Sequence, residues 1–115
     1  IGVNSGQNHL IRPMFYDAYH HIENISNPKA NTRLYSVVGY ICETDTFGSN
    51  RRISEISEGD ILCFQNAGAY CFSMASNYNS RYRPAEVMIY ENNDYLIRKR
   101  ETFEDLIKNQ EIIEF

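Results

Sequence analysis

The amino-acid sequence predicts a mainly β domain, a sandwich or small barrel, with a short helix at its C-terminal end. Two observations lead there. Runs rich in Tyr, Ile, Val and Phe, residues that favour strands, recur about every 8–12 residues between Gly, Pro, Asn, Asp and Ser turns. Only near the end does the apolar spacing change, with Phe103, Leu106 and Ile107 at i, i+3 and i+4. At 115 residues the chain is one domain by length. A chain of this size buries roughly two thirds of its unfolded surface, enough for one modest core.

In chain order, the segment through His21 has no clear period. Ile22–Ile25 reads as a short strand, and Asn27–Thr32, with Pro28, as a polar loop. Leu34–Cys42 is the clearest strand. Both of its alternating faces are apolar, so it is expected to be covered on both sides. Phe47–Asn50 reads as a loop before a short strand over Arg52–Ile56. Ser57–Asp60 is a turn in which Gly59 is free to take a positive φ. A short apolar run, Ile61–Phe64, leads through a tight connection at Asn66–Ala69 into a strand over Tyr70–Ala75. Asn77–Arg83 is a polar loop closed by Pro84. Glu86–Tyr90 and Tyr95–Arg98 form a hairpin around the Glu91–Asp94 turn. Thr102 and Asp105 make a near capping box for a helix from Phe103 to about Glu111.

Composition excludes several function classes. The net charge is −4, with 23% charged and 43% hydrophobic residues, which argues against disorder and against general nucleic-acid binding. No stretch approaches the ~20 apolar residues of a membrane span, and the first residues lack the pattern of a signal peptide. The three cysteines, Cys42, Cys63 and Cys71, include no C-x-x-C pair. Together with the missing signal peptide they point to a reducing cytoplasm, where each thiol reads by default as a small buried hydrophobe. The first residue is not Met, so the chain is expected to start inside a longer protein or to have been processed.

Four stretches carry side chains suited to chemistry. In Asn8–Tyr16, Arg12 offers a rigid fork for a carboxylate, Pro13 favours extended geometry at Arg12, and Tyr16 adds a hydroxyl. The plain alternative is a surface Arg and a core Tyr. In Cys42–Asp45, the carboxylate beside the thiol favours a protonated sulfur, which suits a proton donor better than a nucleophile. The alternative there is an ordinary strand end. Around Gly68, small residues allow close approach and Tyr70 stands at the gap, unless the stretch is a plain hairpin. In Tyr78–Pro84, tyrosines alternate with arginines, a pattern that binds single strands or simply forms a solvated loop. His9 and the tandem His20–His21 read by default as solvated or hydrogen-bonded. Adjacent histidines on a strand face opposite ways and make no bidentate metal site. Arg98–Lys99–Arg100 reads as a solvated strand end.

In order, the chain carries Gly-Val-Asn-Ser-Gly-Gln-Asn-His-Leu-Ile-Arg-Pro-Met-Phe-Tyr, Val-Val-Gly-Tyr-Ile-Cys-Glu-Thr-Asp, Glu-Gly-Asp, Asn-Ala-Gly-Ala-Tyr and Asn-Tyr-Asn-Ser-Arg-Tyr-Arg-Pro-Ala-Glu-Val. From about Gly2 to Asn109 this order closely resembles the C-terminal part of the diaminopimelate decarboxylase family, within the pyridoxal-phosphate (PLP) decarboxylases of alanine-racemase-like fold. The resemblance implies a Greek-key-like β-barrel of the alanine racemase C-terminal-domain type, residues 22–115, with its terminal helix. Residues 1–21 would lead in from an absent (β/α)8 barrel that carries the PLP lysine. It implies a homodimer with active sites at the interface, and the conversion of meso-2,6-diaminopimelate to L-lysine and CO2. Arg12 and Tyr16 match positions that bind the distal carboxylate, and Glu43 the acid that binds the distal amino group. Cys42 matches the proton donor offered from the neighbouring subunit, and Tyr70 the tyrosine that contacts PLP and substrate. The pair Cys42-Glu43 favours diaminopimelate, since relatives acting on ornithine or arginine usually carry Cys-Asp.

The chain departs from the family in places. The usual Cys-Glu-Ser-x-Asp reads Cys42-Glu43-Thr44-Asp45-Thr46, with the aspartate one place early. The PLP lysine, the phosphate site and the first substrate arginine are absent. Lys29, Lys99 and Lys108 stand in polar-loop, strand-end and helix contexts. The isolated chain is therefore expected neither to hold PLP tightly nor to decarboxylate. Two other readings stand beside this one. The first is a related PLP decarboxylase acting on ornithine, arginine or carboxynorspermidine. The second is a non-catalytic β-barrel module that binds single strands through Tyr78, Arg81, Tyr82 and Arg83, against which the acidic charge speaks.

Overall fold

A turn of helix, α1 (Arg12–Tyr16), begins the regular structure in a computed structural model that describes residues 1–115. It is followed by β1 (Ile22–Asn24), β2 (Thr32–Val38), β3 (Thr46–Ser54), β4 (Leu62–Phe64) and α2 (Gly68–Cys71). Two 3-10 turns (Phe72–Met74 and Tyr78–Ser80), β5 (Glu86–Tyr90), β6 (Asn93–Arg98) and α3 (Phe103–Ile107) complete it. The fold is mainly β, as the strand spacing predicts. The strands pair two by two into antiparallel ribbons, β1–β4, β2–β3 and β5–β6. No strand bridges one ribbon to the next, so these residues do not by themselves close the expected barrel.

The core is a cluster of Leu10, Ile22, Val37, Phe47 and Ile53. The Phe47 and Phe64 rings, 4.8 Å apart, tie β3 to β4. Residues ahead of β1 join this core through Leu10, and Gly2 bridges Val38 in parallel. Only 13 of 115 residues are buried, so much apolar surface stays open. The β5–β6 ribbon is the clearest case, with Val87, Ile89, Leu96 and Ile97 all more than half exposed. No helix is long and apolar enough to cross a membrane.

Several sequence expectations are corrected. Phe47–Asn50 is strand, not loop. The turn-forming Asn50 (φ 53°) is accommodated as a bulge where Tyr35 pairs with Arg51 and Val37 with Gly48, and Phe47 anchors the core. Leu34–Cys42 is not one strand covered on both sides: β2 stops at Val38, Val37 is its only buried residue, and Leu34 is 59% exposed. The stop lies at Gly39, where a Cβ would run into the Asp45 carboxylate and the Ser5 carbonyl. Tyr70–Met74 is helical rather than extended, and the chain becomes extended only at Ala75. Asn66 (φ 57°) ends the approach from β4, and the Ser73 hydroxyl donates back to the Ala69 carbonyl at 3.1 Å. Here tertiary packing overrides the strand preference of Tyr and Phe.

The fourth correction concerns Arg12, which opens α1 instead of lying extended. Pro13 falls in the first turn, where a backbone N–H has no helical acceptor to lose. The terminal helix forms with its capping box, the Thr102 N–H donating to Asp105 at 2.9 Å, but ends at Ile107 rather than near Glu111. One turn on from Leu106 and Ile107 stand Gln110 and Glu111, so the apolar stripe gives out. The turn with Gly59 (φ 90°) forms as read, and the hairpin over 86–98 forms with a tighter turn than expected, since Asn93 and Asp94 are paired strand and only Glu91 and Asn92, both at positive φ, make the turn. Arg98 pairs with Glu86 across that hairpin and stacks 3.9 Å from the Phe72 ring, so it is not merely a solvated strand end.

Candidate functional site

Arg12 and Tyr16 lie one turn apart on α1, so their side chains share a face. Arg12 Nε donates to the Tyr16 hydroxyl at 2.7 Å. Tyr70, on α2, brings its ring to 4.9 Å from the same guanidinium. Tyr16 also reaches the Met74 sulfur at 3.9 Å, which fastens α1 to the 3-10 turn after α2. Three of the residues read from the sequence thus meet in space, with Tyr16 and Tyr70 about half exposed. A guanidinium has five N–H groups. Tyr16 takes one, His20 lies 3.5 Å from Nη1, and no hydrogen bond within the chain engages Nη2.

Cys42 and Glu43 form a second group, on the 39–45 loop, and both are exposed. Asp45 shapes that loop. Its buried carboxylate accepts from the Gln7 N–H at 2.6 Å and the Ile41 N–H at 2.8 Å, and its carbonyl accepts from the Gly39 N–H at 2.7 Å. A Cβ on Gly6 would sit 2.8 Å from the same carboxylate. The aspartate one place early is therefore the loop's anchor. Asp45→Ala leaves two backbone N–H groups without acceptors, and we expect a loss of about 3 kcal/mol of stability, measured as a shift of the denaturant midpoint.

Tyr78 faces the Cys42–Glu43 pair. The Glu43 charge first, then burial, a hydrogen bond to Glu43 and the charge of Cys42 push the Tyr78 phenol above its usual range. The segment carrying Tyr78 is held by Glu101. Burial would raise that carboxyl, but the Arg83 N–H (2.7 Å), Asn77 (2.6 Å) and the Arg83 guanidinium outweigh it and hold the group below its usual range. Arg81 stacks 4.3 Å from the Tyr40 ring. The arginines of the Tyr78–Pro84 stretch are thus engaged inside the chain, which weakens their reading as a single-strand binding surface.

None of the hydrogen bonds, ion pairs or ring contacts joins the Arg12–Tyr16–Tyr70 group to the Cys42–Glu43–Tyr78 group. α1 separates them. It turns Arg12 and Tyr16 one way and sets Ile11 and Phe15 beside Glu43 and Thr44 in a shallow hollow.

His9 and His20 are hydrogen-bonded, one of the two states their default reading allows, and His20 is also buried. His9 donates from Nε2 to the Tyr82 carbonyl at 3.1 Å and accepts from the Ser5 hydroxyl at 3.0 Å. Burial pushes its imidazole below the ordinary value despite the Tyr82 carbonyl. His20 is 1% exposed and lies beside Arg12. Of the other thiols, Cys71 donates to the His9 carbonyl at 3.0 Å, and burial, with the charge of Glu86, pushes it up.

Residues 1–68 match the family described as "Pyridoxal-dependent decarboxylase, C-terminal sheet domain". Among curated relatives, the diaminopimelate decarboxylase of Methanothermobacter thermautotrophicus is 47% identical over 113 residues, covering 96% of this chain and 26% of the relative. That of Neisseria meningitidis serogroup B is 47% identical over 108 residues, covering 94% and 26%. The chain spans about a quarter of the length of the curated relatives it matches. Among solved structures, the diaminopimelate decarboxylase of M. jannaschii superposes with a TM-score of 0.89 at 39% identity, covering 97% of this chain and 26% of that one. The same enzyme in complex with L-lysine gives a TM-score of 0.88 at 38% identity, with the same coverage.

Proposed function

Because this chain belongs to the C-terminal sheet domain family of pyridoxal-dependent decarboxylases, we propose that it is the sheet domain of a diaminopimelate decarboxylase, which converts meso-2,6-diaminopimelate to L-lysine and CO2. The observation that carries the reading is the open guanidinium of Arg12, framed by Tyr16 from α1 and Tyr70 from α2. The distal end of the substrate is a carboxylate beside an ammonium, and it needs a cation and an anion together. Arg12 with Tyr16 supplies the first and Glu43 the second. The two groups lie on different sides of α1, which supports a homodimer whose sites take Arg12 from one subunit and Cys42–Glu43 from the other.

The cofactor fits this chain at one edge. Tyr70 is 53% exposed beside Arg12, a position open to a bound ring or phosphate. The exposed Lys29, Lys99 and Lys108 make no contact with either residue, so the anchoring lysine belongs to a part of the protein outside this chain. When bound, pyridoxal phosphate takes up the electron pair left behind as CO2 departs. This chain's residues then do three things. Arg12 and Tyr16 hold the distal carboxylate. Glu43, steadied by Tyr78, holds the distal ammonium. Cys42 Sγ gives its proton to the carbon that lost CO2. The same reading has strands from outside this chain pair with the three ribbons to complete the barrel, which is consistent with the open apolar faces of β5 and β6.

The test is substrate preference of the longer protein that carries this chain. Release of CO2 from meso-diaminopimelate is expected to exceed release from ornithine, arginine or carboxynorspermidine by at least about 100-fold in kcat/KM. Preference for any of the other three would overturn the substrate.

A further inference from the structure

We propose that His20 is a positioning residue that holds Arg12 for its carboxylate, through a tautomer fixed by the backbone of Gln65. The imidazole is 1% exposed, so both ring nitrogens depend on protein partners. Nδ1 lies 3.0 Å from the Gln65 carbonyl oxygen. A carbonyl only accepts, so Nδ1 carries the proton and Nε2 presents a lone pair. The partner of that lone pair is Arg12 Nη1, at 3.5 Å.

The Gln65 peptide is itself clamped. Its N–H donates to the His21 carbonyl at 2.8 Å, continuing the β1–β4 ladder that pairs Ile22 with Phe64. The imidazole is therefore fixed by strand pairing, not by a mobile side chain. Two edges of the guanidinium are then committed, Nε to Tyr16 and one hydrogen of Nη1 to His20. What remains is the second Nη1 hydrogen and both on Nη2, the end-on fork that takes a carboxylate by two parallel bonds. Tyr70 lies over the guanidinium at 4.9 Å and limits its rotation.

The inference rests on the reading of Arg12 as the carboxylate-binding group, and its test separates the two. Asn and Gln are the informative replacements. The Asn amide reproduces the Nδ1 position and keeps the bond to Gln65, but withdraws from Arg12. The Gln amide reaches the Nε2 position and keeps an acceptor for Arg12. In the full-length enzyme, L-lysine, which retains the distal carboxylate, and 1,5-diaminopentane, which lacks it, serve as competitive probes.

His20→Asn is expected to weaken L-lysine inhibition and raise KM about tenfold, with kcat falling far less and 1,5-diaminopentane inhibition unmoved. His20→Gln is expected to bring L-lysine back to within about threefold of the natural enzyme. Added to Arg12→Leu, His20→Asn should cost L-lysine binding nothing more. The inference is overturned if both probes weaken alike in His20→Asn, if Asn and Gln behave alike, or if the losses at 12 and 20 simply add while Arg12→Leu alone remains selective for L-lysine. If Arg12→Leu leaves L-lysine inhibition unchanged, the reading of Arg12 itself falls, and the inference with it.

Discussion

Replacing Cys42 by Ala in the full-length enzyme is expected to lower kcat by about 10²–10⁴-fold, the range for losing a positioned general acid, while pyridoxal phosphate stays bound. The position of Cys42 explains the size of the effect. Asp45 gathers the Gln7, Gly39 and Ile41 amides around itself and so pushes residues 42–44 out to the tip of the loop. There the Cys42 thiol is exposed and makes no hydrogen bond of its own within the chain. Neither of the other cysteines can take its place. Cys71 is committed to the His9 carbonyl, and Cys63 faces Glu23 within the β1–β4 ribbon. Steady-state turnover, with the bound cofactor followed by its absorbance, checks this. A kcat within twofold of the natural enzyme, cofactor retained, would remove Cys42 as proton donor.

Replacing Arg12 by Leu is expected to act on binding instead. In the proposed role the guanidinium would form two charge-assisted bonds with the distal carboxylate, each worth about 1.5–3 kcal/mol. Their loss should raise KM for diaminopimelate by roughly 10²–10⁴-fold, with a smaller change in kcat, because the bonds are made alike in ground and transition states. Arg12→Lys should recover little. An ammonium keeps the charge but cannot donate to Tyr16 and a carboxylate in the planar fork that Tyr70 covers. Titration of L-lysine into the enzyme gives the same comparison without turnover.

What the sequence made legible was mostly local. The hairpin over residues 86–98 follows from two apolar runs around Glu91–Asn92, and the start of α3 follows from Thr102 and Asp105, both decided within a few residues. Gly48, Ser49 and Asn50 mislead because their turn preference is spent on a bulge inside β3. That bulge is worthwhile only because Phe47 then meets Phe64 across the core. Tyr70 and Phe72 carry strand preference, yet sit in helical turns where Arg12 meets the Tyr70 ring, Arg98 the Phe72 ring and Tyr16 the Met74 sulfur.

The site divides in the same way. The family motifs point to Arg12, Tyr16, Cys42, Glu43 and Tyr70 one by one. That Tyr70 covers Arg12 while Cys42 does not approach it is tertiary, and no spacing encodes it. His20 did leave a signal. In an extended chain residues two apart share a face, so His20 falls on the side of Ile22, a core residue, and His21 on the other. The anchoring role of Asp45 left none, because it depends on Gly6 and Gly39 giving way to a carboxylate from another part of the chain.

The central claim is that one chain carries two half-sites that are completed across a dimer, Arg12 with Tyr16 and Tyr70 on one side of α1, Cys42 with Glu43 on the other. Co-expression of full-length Cys42→Ala and Arg12→Leu subunits tests it most directly. With diaminopimelate held well below the natural KM, so that both parents turn over slowly, equal amounts and random pairing make half of the dimers mixed with one of their two sites intact, and about a quarter of the natural activity should return. Activity that stays at the low level of the two parents would contradict the account, placing Arg12 and Cys42 in the same site of the same subunit.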